Sequence, residues 1–331
     1  MSIVPFNHAN NIGDRFLDML RRHGINPGIS SKLENELLSL TALIEIWKNP
    51  SLIEDEQYKL NILRSAAGLY DLGAKILTVE PLQDFPTFLP HLRLIGELKY
   101  DYASLGQNIA SGPSDDTARK IAELYIGCLA VHVGIDIKLD SPTNAKGDNP
   151  DVMFTVKKDD SEESSQRWAL AIKTISTTQG QTIFERIREG ALQIDDPKCS
   201  ADRGMVIINA KSALDHDALW NGNYNDLSEG IAALKAQLDN LAEQANLNRP
   251  QQEWDDIFVA KVVRPIIFMG QTLITLPTPL SKKTPTILRL FSIYCANGKA
   301  DETGCGLAFC MNEFMQKIQD GIPGGDGFLP S

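Results

Sequence analysis

Residues 147–174 read GDNPDVMFTV, then a polar run, then WALAIKT. Two apolar segments that flank a polar turn predict a β-hairpin, with arms at Val152–Val156 and Trp168–Thr174. In an antiparallel pair the start of one strand lies beside the end of the next. We therefore expect Asp151 and Lys173 to meet at one end of the sheet, as a carboxylate beside an ammonium group.

The segments around the hairpin predict an α/β core. A helix over Thr117–Val133 ends at Gly134, and a short strand over Ile135–Leu139 precedes the hairpin. After the hairpin, Ile183–Ile194 has helical spacing, and Gly204–Asn209 is an unbroken apolar run typical of a buried parallel strand. The predicted order is helix, three strands, helix, strand.

This order, together with the residues at the hairpin end, resembles the PD-(D/E)xK nuclease superfamily. The dipeptide Pro150-Asp151 matches the first half of the motif, and Lys173 matches its last position. The middle acidic position departs from the motif, because it is Ala171 here, on the same strand face as Lys173. The resemblance covers roughly residues 115–210 and implies a restriction-endonuclease-like mixed central sheet flanked by helices.

The resemblance also assigns roles to individual residues. Asp151 and Glu123, a glutamate of the first helix, would hold Mg²⁺ or Mn²⁺. Asp148 is a further candidate ligand, although its Gly-Asp-Asn-Pro setting equally favours a loop cap. Lys173 would orient or deprotonate the attacking water. In relatives the later helix often carries a Gln or Lys near the site, and Gln193 is our candidate there; the other candidates on that helix are Glu185 and Arg188.

Three interpretations of Ala171 stay open at this point. The chain is an inactive or weakened form in which alanine replaces Glu or Asp, or the carboxylate has moved to Glu185 or Asp148, or the fold is kept for binding only. The corresponding functions are a metal-dependent DNA endonuclease, of the restriction or antiviral-defence type, and a non-catalytic nuclease-like subunit that binds nucleic acid or a protein partner.

Composition agrees with a globular protein that has a sizeable core. The chain has 331 residues, of which 43% are hydrophobic, and it contains no apolar run long enough to span a membrane. Its first residues lack the pattern of a signal peptide. The five cysteines form no C-x-x-C pair, which indicates neither a zinc site nor a disulfide framework, so we expect a cytoplasmic location.

The formal net charge of −11 argues against a protein that coats nucleic acid. It does not exclude a nuclease, since a bound metal ion supplies positive charge of its own. It does indicate weak DNA binding by the chain alone. The expected partners are therefore DNA and a protein such as a helicase or ATPase subunit, and analogy with restriction nucleases adds a homodimer.

We divide the chain into three regions: a helical N-terminal region over 1–110, the nuclease-like core over 111–275 and an extension packed on the core over 276–331. The helices expected in the first region are Asn11–His23, Ser30–Trp47, Asp55–Leu77 and His91–Leu105.

Beyond the core motif we expect helices at Asp226–Ala245 and Gly306–Gln319, strands at Ile257–Val263 and Ile266–Thr275, and a strand or short helix at Ile287–Tyr294. Asp215-His216-Asp217 looks like metal-ligand chemistry, but we interpret it as a surface turn.

Overall fold

The computed structural model describes residues 6–48, 55–97, 105, 117–143, 149–157, 165–277 and 283–317. The chain divides into two compact units, one formed by residues 1–107 with 318–331 and the other by residues 108–317. Within the described segments, no helix combines the length and the apolar character needed to cross a membrane.

The N-terminal unit is helical, as the sequence predicts. Its helices are α1 (Phe6–Arg22), α2 (Lys32–Lys48), α3 (Glu56–Val79) and α4 (Leu89–Glu97). On α1 the fully buried side chains recur at helical spacing: Ile12, Phe16, Met19 and Leu20. This apolar stripe is what packs the helix into its unit.

The second unit alternates helices and strands in the predicted order. It contains α5 (Thr117–Ala130), β1 (Ile135–Leu139), β2 (Val152–Lys157), β3 (Ser165–Thr174), α6 (Gly180–Asp195), β4 (Arg203–Asn209), α7 (His216–Asn221), α8 (Leu227–Asn246), α9 (Gln251–Asp255), β5 (Ile266–Pro277), β6 (Lys283–Tyr294) and α10 (Glu302–Gln316). The segment left open as strand or helix is thus a strand, β6. The last helix starts earlier than expected because the side chain of Asp301 caps it by accepting from the Gly304 N–H at 2.8 Å.

The six strands form one mixed sheet in sequence order, β1 to β6. The pairs β1–β2, β2–β3 and β5–β6 are antiparallel, whereas β3–β4 and β4–β5 are parallel. The hairpin of β2 and β3 and the parallel position of β4 are therefore confirmed. The structure is an α/β fold in which helices flank a mixed sheet.

Small residues seat α6 closely on the sheet. A Cβ atom added to Gly190 of α6 would lie 3.4 Å from the Cβ of Ala171 in β3 and 3.0 Å from a methyl group of Val206 in β4. Farther along the same face, Ile194 lies over Gly204, which pairs with Ala169. The helix and β3 therefore run side by side with little between them, and this packing determines which α6 residues reach the end of β3.

Two expectations about the later chain are wrong. Ile257–Val263 is not a strand: the ladder there consists of a single bridge between Gly204 and Val262, and the Asp195 carboxylate accepts from the Lys261 N–H at 2.8 Å. A side chain thus satisfies backbone donors that a strand partner would otherwise bind. His216 is buried rather than in a surface turn, with its ring nitrogens 2.8 Å from the Thr272 hydroxyl and 2.7 Å from the Lys211 carbonyl oxygen.

The contact between α6 and α8 gives a test of the fold. A Cβ atom on Gly180 would overlap the backbone carbonyl of Gln244, whereas a Cβ atom on Gly306 in α10 would meet nothing within 4 Å. We expect Gly180→Ala to lower the free energy of unfolding by about 1–3 kcal/mol, because helix backbones must move apart. Gly306→Ala, the matched control, should raise it by about 0.5–1 kcal/mol. Urea unfolding of both variants measures the difference; equal stabilities would contradict the packing of α6 on α8.

Candidate active site

Asp151 is fixed at the end of the hairpin by the register of β2 and β3. Val152 pairs with Leu170, and the Asp151 N–H donates to the Leu170 carbonyl oxygen at 3.1 Å. The Asp151 carboxylate in turn accepts from the Ile172 N–H at 2.5 Å. The side chain is only 7% exposed. The backbone N–H and the side-chain carboxylate of Asp151 are therefore both hydrogen-bonded to the backbone of β3, which holds the carboxylate in one position.

Glu123 reaches the same place from α5, the first helix of the second unit. Its side chain is 3% exposed and is hydrogen-bonded to the Asp151 side chain. Lys120, one helical turn earlier, places its ammonium 2.8 Å from a Glu123 carboxylate oxygen. Two carboxyl groups and an ammonium thus meet in a nearly dry environment.

The pKa values of both acids respond to this environment. Burial raises the pKa of Glu123, with Lys120 opposing the shift. Burial and, next, the charge of Glu123 raise the pKa of Asp151 to about 7, against the opposing effects of Lys173, the Ile172 N–H and Lys120. A like-charge pair removed from water binds either a proton or a cation near neutral pH.

Lys173 lies half-buried near the end of β3, where its charge interacts with that of Asp151. Burial lowers the pKa of its ammonium group, and repulsion from Arg119 and Arg186 adds to the shift, while attraction to Asp151 and Glu189 opposes it. Asp151 and Lys173 therefore lie near the same end of the hairpin, and their charges interact there. A lysine with a lowered pKa is suited to exchange a proton with water.

Ala171 has no exposed surface, because it packs beneath α6 against Val206 and the backbone at Gly190. Of the residues considered as replacements for its missing carboxylate, Glu185 is exposed and accepts from the Gln181 amide at 2.9 Å. Asp148 lies outside the described residues. The carboxylate of α6 that interacts with Lys173 is instead Glu189.

Gln193 is a buried residue of α6. It neighbours Ile194, which packs at the level of Ala169, two strand residues before Ala171 and four before Lys173. The structure therefore brings together Asp151, Glu123 and Lys173 of the predicted residues, while Gln193 lies on α6 nearer to the level of Ala169.

Five charged neighbours of the site were not identified from the sequence: Arg119, Lys120, Asp140, Arg186 and Glu189. For Lys120 a signal was present, since it lies three residues before Glu123 and such residues are neighbours on a helix surface. For Arg186 and Glu189 the only indication was their place on an amphipathic helix. Their position depends on how α6 is rotated against the sheet.

The donors at the site match a hard divalent cation. Mg²⁺ prefers oxygen ligands, keeps several waters and is commonly bound through one or two carboxylates. Asp151 and Glu123 provide two adjacent carboxylates whose pKa values are raised mainly by burial, so a cation that binds them would favour their charged forms. Within the described ranges no group of three or more His, Cys, Asp or Glu side chains is placed to hold a metal ion. The residues thus fit an ion that takes much of its coordination from water.

No family model, no curated protein and no solved structure matches this chain. Its function has to be inferred from the chemistry of the site.

The pKa of Asp151 predicts a pH-dependent stability. Because this pKa rises from 3.8 unfolded to about 7 folded, the folded state binds more protons between these values, and the free energy of unfolding falls as the pH rises. Asp151→Asn keeps the hydrogen-bond acceptor and removes the charge. With EDTA present it should stabilise the protein at about pH 8, by up to roughly 4 kcal/mol at about 1.4 kcal/mol per pKa unit, and less at about pH 5.

Urea unfolding at both pH values checks this, with Glu185→Gln as a control that removes an exposed carboxylate from the same unit. A stabilisation by Asp151→Asn that is the same at both pH values would contradict the raised pKa.

Proposed function

We propose that this chain is a metal-dependent DNA endonuclease of the PD-(D/E)xK superfamily, with a restriction-endonuclease-like fold. One observation carries the proposal. A strand-end aspartate, a helix glutamate and a half-buried lysine of the neighbouring strand come together, and Asp151 is the residue that links them: Glu123 and Lys173 shift its pKa, and it shifts theirs. The order of elements around them, α5-β1-β2-β3-α6-β4, agrees with that assignment.

The proposed reaction is hydrolysis of a phosphodiester. Mg²⁺ or Mn²⁺ held by Asp151 and Glu123 would lower the pKa of a bound water and offset negative charge as the reaction proceeds. The Ile172 N–H keeps the Asp151 carboxylate in place, and Lys120 must release Glu123 for that residue to serve as a ligand. Lys173, with its lowered pKa, takes the proton of the attacking water. The bond from phosphorus to the leaving oxygen then breaks, and solvent protonates that oxygen.

The absence of an acid at position 171 does not exclude this reaction, because two carboxylates suffice for many Mg²⁺ sites. As substrate we propose DNA, and as biological setting restriction or antiviral defence. A homodimer and a helicase or ATPase subunit remain the partners that we propose.

One observation favours a second function, that of a nuclease-like subunit that binds nucleic acid or a protein without cutting. Ala171 is buried beneath α6, and in the described part of the chain no third His, Cys, Asp or Glu side chain is placed to share a metal ion with Asp151 and Glu123. Such a subunit would tolerate loss of the two carboxylates and would bind Mg²⁺ weakly.

Cleavage of plasmid and linear DNA with Mg²⁺ or Mn²⁺ separates the two functions. We expect the wild type to cut, Asp151→Asn to lose detectable cutting because the main ligand is gone, and Lys173→Met to cut about 10²–10⁴-fold more slowly because proton transfer is lost. Glu185→Gln is the matched control and should cut like the wild type. If the wild type does not cut but still binds DNA, and Asp151→Asn binds equally well, the subunit function is the correct one.

Ala171→Glu tests whether alanine marks a disabled enzyme. Because Ala171 is fully buried under α6, the larger side chain must push the helix away, and we expect a loss of about 1–3 kcal/mol in the free energy of unfolding with no gain in cleavage. Urea unfolding and the same cleavage assay measure both effects. Cleavage by Ala171→Glu alone would show instead that the wild-type chain is an inactivated form.

A further inference from the structure

Cations from three elements surround the end of β3, in a chain with 43 acidic and only 32 basic residues. Lys173 belongs to β3 itself. Arg119 lies on α5 four residues before Glu123, a spacing that puts both side chains on the same face of the helix. Arg186 lies on α6. Both arginines repel the Lys173 ammonium, which lowers its pKa.

The packing of α6 on β3 explains the position of Arg186. Gly190 lies over Ala171. Four helix residues advance about 6 Å, close to the rise of two strand residues. Counting back from Gly190 along the helix, Arg186 therefore comes level with Lys173, since α6 runs antiparallel to β3, with Ile194 over Ala169 at the other end.

A carboxylate of the protein, that of Glu189, already pairs with one of these cations. The Glu189 carboxylate lies 2.7 Å from the Arg186 guanidinium and also attracts the Lys173 ammonium. Its side chain is 51% exposed, so it can turn into solvent without breaking core packing. The Glu189 carboxylate thus binds Arg186 at a position that an anion from solvent could take instead.

We propose that Arg119 and Arg186 form a clamp for a backbone phosphate of the DNA beside Lys173, and that Glu189 occupies Arg186 until the DNA binds. The inference rests on the proposed nuclease function and deepens it. A guanidinium binds phosphate oxygens in a bidentate manner, and arginines on two helices would hold one phosphate from both sides. The clamp would place the phosphate next to the carboxylates that hold the metal ion.

Matched variants of α6 test the clamp. Arg188 is on the same helix but roughly 200° around its axis from Arg186, on the edge that faces away from Gly190 and Gln193, and it is exposed. Binding of a short fluorescent DNA duplex is measured in EDTA, at several salt concentrations. We expect Arg186→Ala and Arg119→Ala each to weaken binding by about tenfold or more, as loss of a charge-assisted hydrogen bond does. Each should also reduce the slope of log K against log salt by about 0.9, whereas Arg188→Ala should change neither.

The role of Glu189 has its own control in Glu185, which is on the same helix, is exposed and is bonded to Gln181. If Glu189 competes with phosphate, Glu189→Gln should bind the duplex several-fold more tightly and still cut it, while Glu185→Gln should bind like the wild type. If Glu189→Gln instead abolishes cutting at unchanged affinity, Glu189 belongs to the catalytic groups and the proposal is wrong.

Failure of the clamp can be distinguished from failure of the nuclease function. If Arg186→Ala and Arg119→Ala bind as Arg188→Ala does, while Asp151→Asn still abolishes cutting, the clamp is wrong and the nuclease function stands. If the wild type neither binds nor cuts DNA, both are wrong. Circular dichroism and thermal unfolding confirm that each variant is folded.

Discussion

The contact between the Glu123 and Asp151 carboxyl groups is the feature on which the rest of the site depends. Two acids are placed side by side out of water: burial raises the pKa of both, and the charge of Glu123 raises the pKa of Asp151 further. The fold tolerates this pair of acids because the N–H and the carboxylate of Asp151 are both hydrogen-bonded to the backbone of β3, and because Lys120 pairs with Glu123. Such an arrangement lowers the free energy of unfolding near neutral pH. Strongly shifted pKa values of this kind cluster at functional sites, where a cation is bound or a proton is transferred.

The close seating of α6 on β3 is the second constraint. Gly190 and Ala171 let the helix approach the strand, and no room is left at position 171 for a carboxylate. The same approach carries Arg186 and Glu189 to the level of Lys173. The packing of α6 on β3 therefore leaves no space for an acidic side chain at position 171. It also places the Arg186 guanidinium and the Glu189 carboxylate near the end of the strand.

These two constraints together give the site a distinct character. Buried carboxylates suited to a hard cation lie beside a lysine with a lowered pKa, and beyond it lie exposed cations suited to phosphate. A metal ion and a phosphodiester need these same groups, in this order, from the interior to the surface. The functional proposal rests on this chemistry and on the order of elements around it.

Local patterns in the chain were enough to predict the hairpin, the parallel strand β4, most helices, and the meeting of Asp151 with Lys173, because periodicity and antiparallel pairing act over short distances. They failed at Ile257–Val263, where the Asp195 carboxylate takes backbone donors that a strand would use. They also gave no sign that Arg186 and Glu189 belong to the site. Tertiary packing decided these points, because the rotation of a helix on a sheet depends on small residues such as Gly190 and Ala171 that are distant in sequence and carry no periodic signal.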